Sequence, residues 1–375
     1  MRKDTKQFVL FLKTLKSGEK MYYYVVRDEN NRRLQYSTGE SDQQKALMVC
    51  LEKMSKGKLI PKSRLSFSEY AKDFYDYEKS PYIQGKLKRG FSYARASADS
   101  RSNFIRNEAI PFFGDKLISR ISPKDIENFI LRLKSSGISN NTLNGKIKTL
   151  RQVFRYAFKM HDIDFDPTTE IMLFRNDTAE RGIFSEEEID SLFGGSDSIE
   201  KYWGGDTVAY TMNLFALKTG CRLGEIQALC AGDIKDGCVS VSKSWSEKYG
   251  LGTTKTGKSR VIPIGDDLKK RLLMLTWGKD DDDFIFANKS GSRPIARTRI
   301  YPKFYAALEK VGIDADERKK RNLSFHCWRH TFASRLANAN IPELYIRRLT
   351  GHSSTQILDV YSHIQIEKLK EAIDF

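Results

Sequence analysis

The chain has 375 residues and no apolar run that approaches the roughly 20 residues needed to span a bilayer. Its start, Met1-Arg2-Lys3-Asp4, lacks the apolar core of a signal peptide. Both absences set aside membrane-spanning and secreted classes, and the expectation is an intracellular, cytoplasmic protein. Cysteine is scarce as well. Cys50, Cys221, Cys230, Cys238 and Cys327 are an odd, scattered set without a Cys-x-x-Cys pair, which excludes a disulfide framework and a zinc ribbon and predicts reduced, mostly buried thiols. Acidic residues are in deficit: 48 Asp+Glu against 64 Lys+Arg leave a formal net charge of +16. Such an excess favours a polyanionic partner, nucleic acid or an anionic membrane surface, over a merely soluble basic protein.

At about 150 residues per domain the length predicts two or three domains with ample core. Residues 7–13, 21–27 and 33–38 are short β-branched or aromatic runs separated by Ser17-Gly18 and Asp28-Glu29-Asn30-Asn31. They predict a three-stranded antiparallel sheet. From Ser41 to about Lys56 the composition turns helical, with Ala46, Val49, Cys50 and Met54 spaced to cover that sheet. The resulting unit, residues 1–60, reads as a small DNA-binding module or as a capping subdomain, and the charge favours the first.

The basic stretch from Lys56 to Arg64 reads as a linker, and a helical domain over residues 65–170 opens at Ser66-Phe67-Ser68-Glu69. Lys86-Leu87-Lys88-Arg89-Gly90 is expected in a loop, touching phosphate or simply solvated. Ser122-Pro123-Lys124-Asp125 has the form of a helix start, closed by Gly137. A helix from about Asn141 carries Leu143, Ile147, Leu150, Phe154, Ala157 and Phe158 on one stripe and Lys146, Lys148, Arg151, Arg155 and Lys159 on the other face. The first would bury in a bundle, while the second would lie along a phosphate backbone or face solvent. Pro167 ends the pattern, and residues 175–180 form a second linker.

The last domain, residues 180–375, opens at Ser185 and Glu188, which have capping-box spacing. It is mainly helical except between Gly237 and Gly265, where Cys238–Ser242 and Arg260–Ile264 flank a Gly-rich middle and predict a small three-stranded sheet. Arg222 follows the Gly220 turn and shares a helical face with Glu225, an ordinary ion pair if taken alone. Lys255 sits at the mouth of an expected hairpin turning at Gly257, where a lysine is usually solvated. His326 and His330 stand four apart, a metal-ligand spacing, but Cys327 replaces a zinc hydrolase's glutamate and Arg329 would repel a cation. Asp280-Asp281-Asp282-Asp283 reads as a solvated loop, since four consecutive carboxylates cannot all face one ion.

Residues 324–363 hold four of the five histidines, together with Arg329 and Tyr361. An Arg, a Lys, a His-x-x-Arg, a Gly-His and a Tyr-x-His follow in this order within one domain: Arg222, Lys255, His326 with Arg329, His352, and Tyr361 with His363. The segment from about Phe184 to Ile364 thereby resembles the catalytic domain of the tyrosine recombinase (phage integrase) family. Its boxes match Leu217-Lys218-Thr219-Gly220-Cys221-Arg222-Leu223-Gly224-Glu225, Thr254-Lys255-Thr256, His326-Cys327-Trp328-Arg329-His330-Thr331-Phe332-Ala333, Thr350-Gly351-His352-Ser353-Ser354 and Tyr361-Ser362-His363. Thr350 stands where the family usually has leucine, at a packing position.

The resemblance implies a mainly α fold with small β-sheets (α+β): an N-terminal sheet and helix binding arm-type DNA sites, a helical core-binding (SAM-like) domain, and a mixed α/β catalytic domain of tyrosine recombinase type. It implies that Tyr361 is the nucleophile, giving a 3′-phosphotyrosyl intermediate and a free 5′-hydroxyl. Arg222 and Arg329 would clamp the phosphate, His352 would add a hydrogen bond, His326 would assist proton transfer and Lys255 would protonate the leaving oxygen. His330 would pack, and His363 would neighbour the nucleophile. Neither ATP nor Mg²⁺ nor any other cofactor or metal is implied. The implied partners are double-stranded DNA at core and arm sites, further copies in a homotetramer, and an excisionase or host DNA-bending protein, with the protein associated with the nucleoid when bound. The short amphipathic segment from Ile364 to Ile373 would dock on its own or a neighbouring protomer. The rival readings are a type IB topoisomerase-like DNA-relaxing enzyme and a catalytically idle DNA-binding regulator.

Overall fold

The computed structural model describes residues 8–15, 18–27, 33–55, 65–175, 181–254 and 257–351, and the chain divides into two compact units, Met1–Thr178 and Ala179–Phe375. The linkers at 56–64 and 176–180, Lys255, His352, Tyr361, His363 and the segment 364–373 lie outside the described residues.

In the first unit, β1 (Val9–Thr14), β2 (Lys20–Arg27) and β3 (Arg33–Ser37) form an antiparallel sheet in the order β1-β2-β3, with Val9 opposite Val25 and Tyr23 opposite Ser37. Alternation sends Tyr24, Val26 and Leu34 to one face, where they meet Cys50 of α1 (Gln43–Ser55). The expected β-β-β-α order is therefore present. Of the residues predicted to cover the sheet, Ala46 and Cys50 are buried, but Met54 is exposed because it lies one turn beyond the contact.

The helical part of this unit comprises α2 (Phe67–Ala71), α3 (Pro81–Lys88), α4 (Arg95–Phe104), α5 (Ile110–Phe113), α6 (Pro123–Ser135) and α7 (Asn140–Lys159), with one π-helical turn at Ile105–Ala109. Ser66 with Glu69 and Ser122 with Asp125 form capping boxes that fix the starts of α2 and α6. Lys86–Lys88, expected in a loop, are instead the last turn of α3. Ser80 caps that helix with Pro81 in its first turn, and Lys86 lies over the Tyr82 ring.

Along α7, Leu143, Ile147, Leu150, Phe154 and Ala157 are buried as predicted, whereas Phe158 is exposed at the end of the stripe. Its basic face is partly spent within the fold. Lys146 pairs with Glu108, Arg151 donates to the Ile171 carbonyl, and Arg155 lies 3.9 Å from Asp166.

The second unit begins with α8 (Glu186–Phe193), α9 (Ser198–Trp203), α10 (Thr207–Thr219) and α11 (Leu223–Gln227). Ser185 caps α8 reciprocally with Glu188, as its spacing predicted. β4 (Ile234–Lys235), β5 (Cys238–Val241) and β8 (Arg260–Pro263) form one antiparallel sheet, while β6 (Lys243–Ser246) and β7 (Gly250–Thr253) pair separately. The turn at Gly257 thus joins strands of different sheets rather than closing a hairpin, which corrects the expected pairing. α12 (Asp266–Thr276), α13 (Arg297–Lys310), α14 (Ala315–Lys320), α15 (Cys327–Asn338) and α16 (Glu343–Thr350) follow among the described residues.

Its core gathers Phe215, Phe286, Phe304, Trp328 and Phe332, all fully buried. α15 packs along α10, and the Trp328 indole N–H donates to Asn213 Oδ1 at 2.9 Å, fixing the register of the two helices. Asp280–Asp283 are exposed, and their loop is held by backbone bonds from Ala231 and Gly232, in line with a solvated loop. Four of the cysteines are buried and all are free thiols. No helix among the described residues is long and apolar enough to cross a membrane.

Candidate active site

The site is built where α10 ends. Gly220 caps α10 in the left-handed region (φ +63°), and a Cβ there would stand 2.5 Å from Phe332 Cδ1, so glycine is required by both backbone and packing. The chain turns at once into α11, with Arg222 as its N-cap residue. Glu225 Oε2 accepts from the Arg222 N–H at 2.9 Å, and Arg222 Nη1 donates to Oε1 at 2.8 Å. The face-sharing pair expected from the sequence is thus formed, with the carboxylate 1% exposed and the arginine side chain 23% exposed.

A second guanidinium reaches the same carboxylate from β8. Arg260 Nη2 and Nη1 meet Glu225 Oε2 and Oε1 at 2.6 and 3.2 Å. Burial by itself would raise the Glu225 carboxyl, but Arg260 and then Arg222 hold it below the ordinary carboxylate range.

Arg329 arrives from α15. The Trp328–Asn213 bond sets the helix so that Arg329 points to the end of α10, where Nη1 donates to the Gly220 carbonyl at 2.9 Å. Arg329 is 1% exposed, yet Nε and Nη2 have no hydrogen-bond partner among the described residues. These two groups share one edge of the guanidinium, the edge that matches two oxygens of a phosphate or carboxylate. Burial and the neighbouring Arg222 push the Arg329 guanidinium down to about 10, the mark of a buried cation short of negative charge.

His326 is the N-cap residue of α15 rather than part of its regular turns, and its ring centroid lies 5.1 Å from that of His330, edge to face. Burial first, then His330 and Arg181, lower the His326 imidazole to about 4, so it is neutral at pH 7. Burial and Arg181 also lower His330. No group of three or more His, Cys, Asp or Glu placed to hold a metal occurs among the described residues.

Of the residues singled out in the sequence, Arg222, His326 and Arg329 converge here, while Lys255, His352 and Tyr361 lie outside the described residues. The end of α16, from which His352 follows, is placed. Thr350, in the position usual for leucine, is fully buried and satisfies its hydroxyl on the Ile346 carbonyl at 2.6 Å. Sequence reasoning missed Arg260 and Arg181. The available signal for Arg260 was its place two residues before Ile262, which puts an arginine on the inward face of β8.

Residues 184–368 match the phage integrase family. The second unit carries a phage integrase family domain. This is the family of the tyrosine recombinases, which cleave and rejoin DNA, and the matched segment spans Arg222, Glu225, Arg260, His326, Arg329 and His330, while Arg181 lies just before it. Among curated relatives, the tyrosine recombinase XerC of Oceanobacillus iheyensis is 24% identical over 75% of this chain and 87% of its own length. Transposase B from transposon Tn554 of Staphylococcus aureus is 22% identical over 80% of this chain, which spans 48% of that protein.

Among solved structures, the integrase of transposon Tn1549 in complex with circular intermediate DNA superposes with a TM-score of 0.61 at 19% identity, covering 83% of this chain and 100% of that one. Lambda integrase superposes as a dimer bound to a core site (TM-score 0.58, 16% identity, 97% of this chain and 96% of that one). It also superposes as a tetramer bound to a Holliday junction (TM-score 0.54, 17% identity, 97% and 100%). The mainly helical fold with small antiparallel sheets is shared with these integrases, and the lambda match, at 97% of this chain, extends over the N-terminal part as well.

Proposed function

We propose that the chain is a site-specific recombinase, the integrase of a mobile element, in which the Tyr361 phenol attacks a DNA phosphate held between Arg222 and Arg329. The new P–O bond forms a 3′-phosphotyrosyl ester as the bond to the 5′-oxygen breaks. His326 takes up the phenol proton, Lys255 supplies one to the departing 5′-oxygen, and His352 donates to a non-bridging oxygen. Religation runs the same steps in reverse.

The observation that carries this reading is Arg329: a fully buried guanidinium whose Nε and Nη2 have no acceptor among the described residues. Leaving such donors unpaired costs about 1–3 kcal/mol or more for a charged group, and a phosphate would supply two acceptors and a counter-charge together. His326 beside Arg329 is neutral at pH 7, so its ring keeps a lone pair that can accept a hydrogen bond from the phenol.

Residues 1–60 would bind arm sites, residues 65–170 the core site, and residues 180–375 carry the chemistry. Support for a mobile element comes from the similar Tn1549 integrase and Tn554 transposase. The lambda tetramer on a Holliday junction supports four copies acting on two duplexes. An excisionase or host DNA-bending protein would set direction. A nicked suicide duplex, from which the 5′ strand diffuses after cleavage, tests the chemistry. A covalent protein–DNA adduct that persists in EDTA is expected, and its absence would refute the reading.

A further inference from the structure

Each of the three guanidinium nitrogens of Arg260 is engaged. Nη1 and Nη2 meet the two Glu225 oxygens end-on, Nη2 lies 3.4 Å from Cys221 Sγ, and Nε donates to the Leu349 carbonyl at 2.8 Å. The partners come from two distant segments. Cys221 and Glu225 flank Arg222, while Leu349 belongs to the last turn of α16. That helix ends by turning through Gly351 (φ +69°), where a Cβ would come within 3.2 Å of Arg260 Nη1. At 7% exposure the Arg260 side chain makes these contacts away from solvent.

We propose that Arg260 is a positioning residue for strand cleavage, holding Glu225 and the end of α16 so that the Arg222 guanidinium and the segment leading to His352 form one unit. The proposal rests on the reading of Arg222 as a phosphate ligand. Charge explains why a second arginine is needed. With Arg222 as its sole counter-charge, the buried Glu225 carboxylate would compete with the phosphate for Arg222. Arg260 neutralises Glu225, so the Arg222 guanidinium touches the carboxylate through Nη1 alone and keeps its other donors for the substrate.

The third contact anchors the end of α16. A cation at the C-terminal turn of α16 is favoured by the carbonyls gathered there, and the bond to Leu349 anchors the helix two residues before Gly351. A lysine could neutralise Glu225 but has no planar fork with which to span both oxygens and reach the carbonyl as well.

The test compares full-length wild type and Arg260→Lys in single turnover on two nicked duplexes built from the DNA junction flanking the gene, one with a phosphodiester and one with a neutral methylphosphonate at the cleaved position. Arg260→Lys is expected to bind DNA with unchanged affinity, to form adduct about 10–100-fold more slowly on the phosphodiester, and to lose much less on the methylphosphonate, where charge on the clamp matters little. Arg260→Gln, which also removes the counter-charge, is expected to widen that difference between substrates, and it carries the same comparison if Arg260→Lys fails to fold. Wild-type rates in Arg260→Lys would overturn the proposal, because charge alone would then suffice. Equal slowing on both substrates with a lowered melting temperature would overturn it in favour of a purely structural arginine. If wild type forms no adduct on either duplex, the recombinase reading itself falls, and the role of Arg222 on which Arg260 depends falls with it.

Discussion

The Arg329 guanidinium and the Gly220 carbonyl are joined by a 2.9 Å hydrogen bond, so the arginine of α15 is held by the glycine that ends α10, two residues before Arg222. The bond orients Arg329 with one edge inward and leaves the opposite edge, Nε and Nη2, unpaired. An anion on that edge should stabilise the fold. At matched ionic strength, sulfate in place of chloride is expected to raise the melting temperature of wild type by about 2–4 °C more than that of Arg329→Met, the difference expected at roughly tenfold saturation. Sulfate acts generally on any protein surface, so only the difference between the two proteins counts, and equal shifts would contradict an anion site.

His326 makes stability depend on pH. Its folded value, about 4, lies below the unfolded value of 6.5, so the unfolded chain binds more protons between the two. The contribution is therefore fully present above the unfolded value and is lost as pH falls toward 4. The urea midpoint of wild type is expected to drop across that window and that of His326→Gln to drop less. Parallel curves would show that His326 is not held neutral by the fold.

Trp328 fixes α15 on α10 through Asn213. Trp328→Phe would leave the fully buried Asn213 Oδ1 without its donor and is expected to cost about 1–3 kcal/mol in urea unfolding, with a cavity adding to it. A loss below about 0.5 kcal/mol, the size of an ordinary surface substitution, would show that the bond does not set the helix register.

Deleting residues 1–60 is expected to spare binding to core sites and to impair integration, since the module would add affinity by tethering rather than by chemistry. An undiminished integration assay would remove the arm-site role.

Much of this fold is legible in the sequence because local rules govern it. The three N-terminal strands lie within a residue or two of the β-branched runs, and Ser122 with Asp125 and Ser185 with Glu188 cap the helices they promised. The misses arise where tertiary reach decides. Periodicity placed Met54 and Phe158 on buried stripes without showing where the facing surface stops. The basic run Lys86–Lys88 looked like a loop, although Ser80 and Pro81 were already a helix start. At the site, Arg222 and Arg329 were recognisable from their boxes, but Arg260 looked like the polar end of a strand. Only the packing of β8 beside α16 shows that its guanidinium meets a carboxylate 35 residues earlier in the chain.

Trapping on a nicked suicide duplex measures directly whether Tyr361 is the nucleophile within an arginine-clamped site. Wild type should give an EDTA-resistant adduct and Tyr361→Phe none, while Arg222→Ala should bind the duplex normally and cleave it about 10²–10³-fold more slowly. An adduct of normal yield from Tyr361→Phe would contradict the central claim.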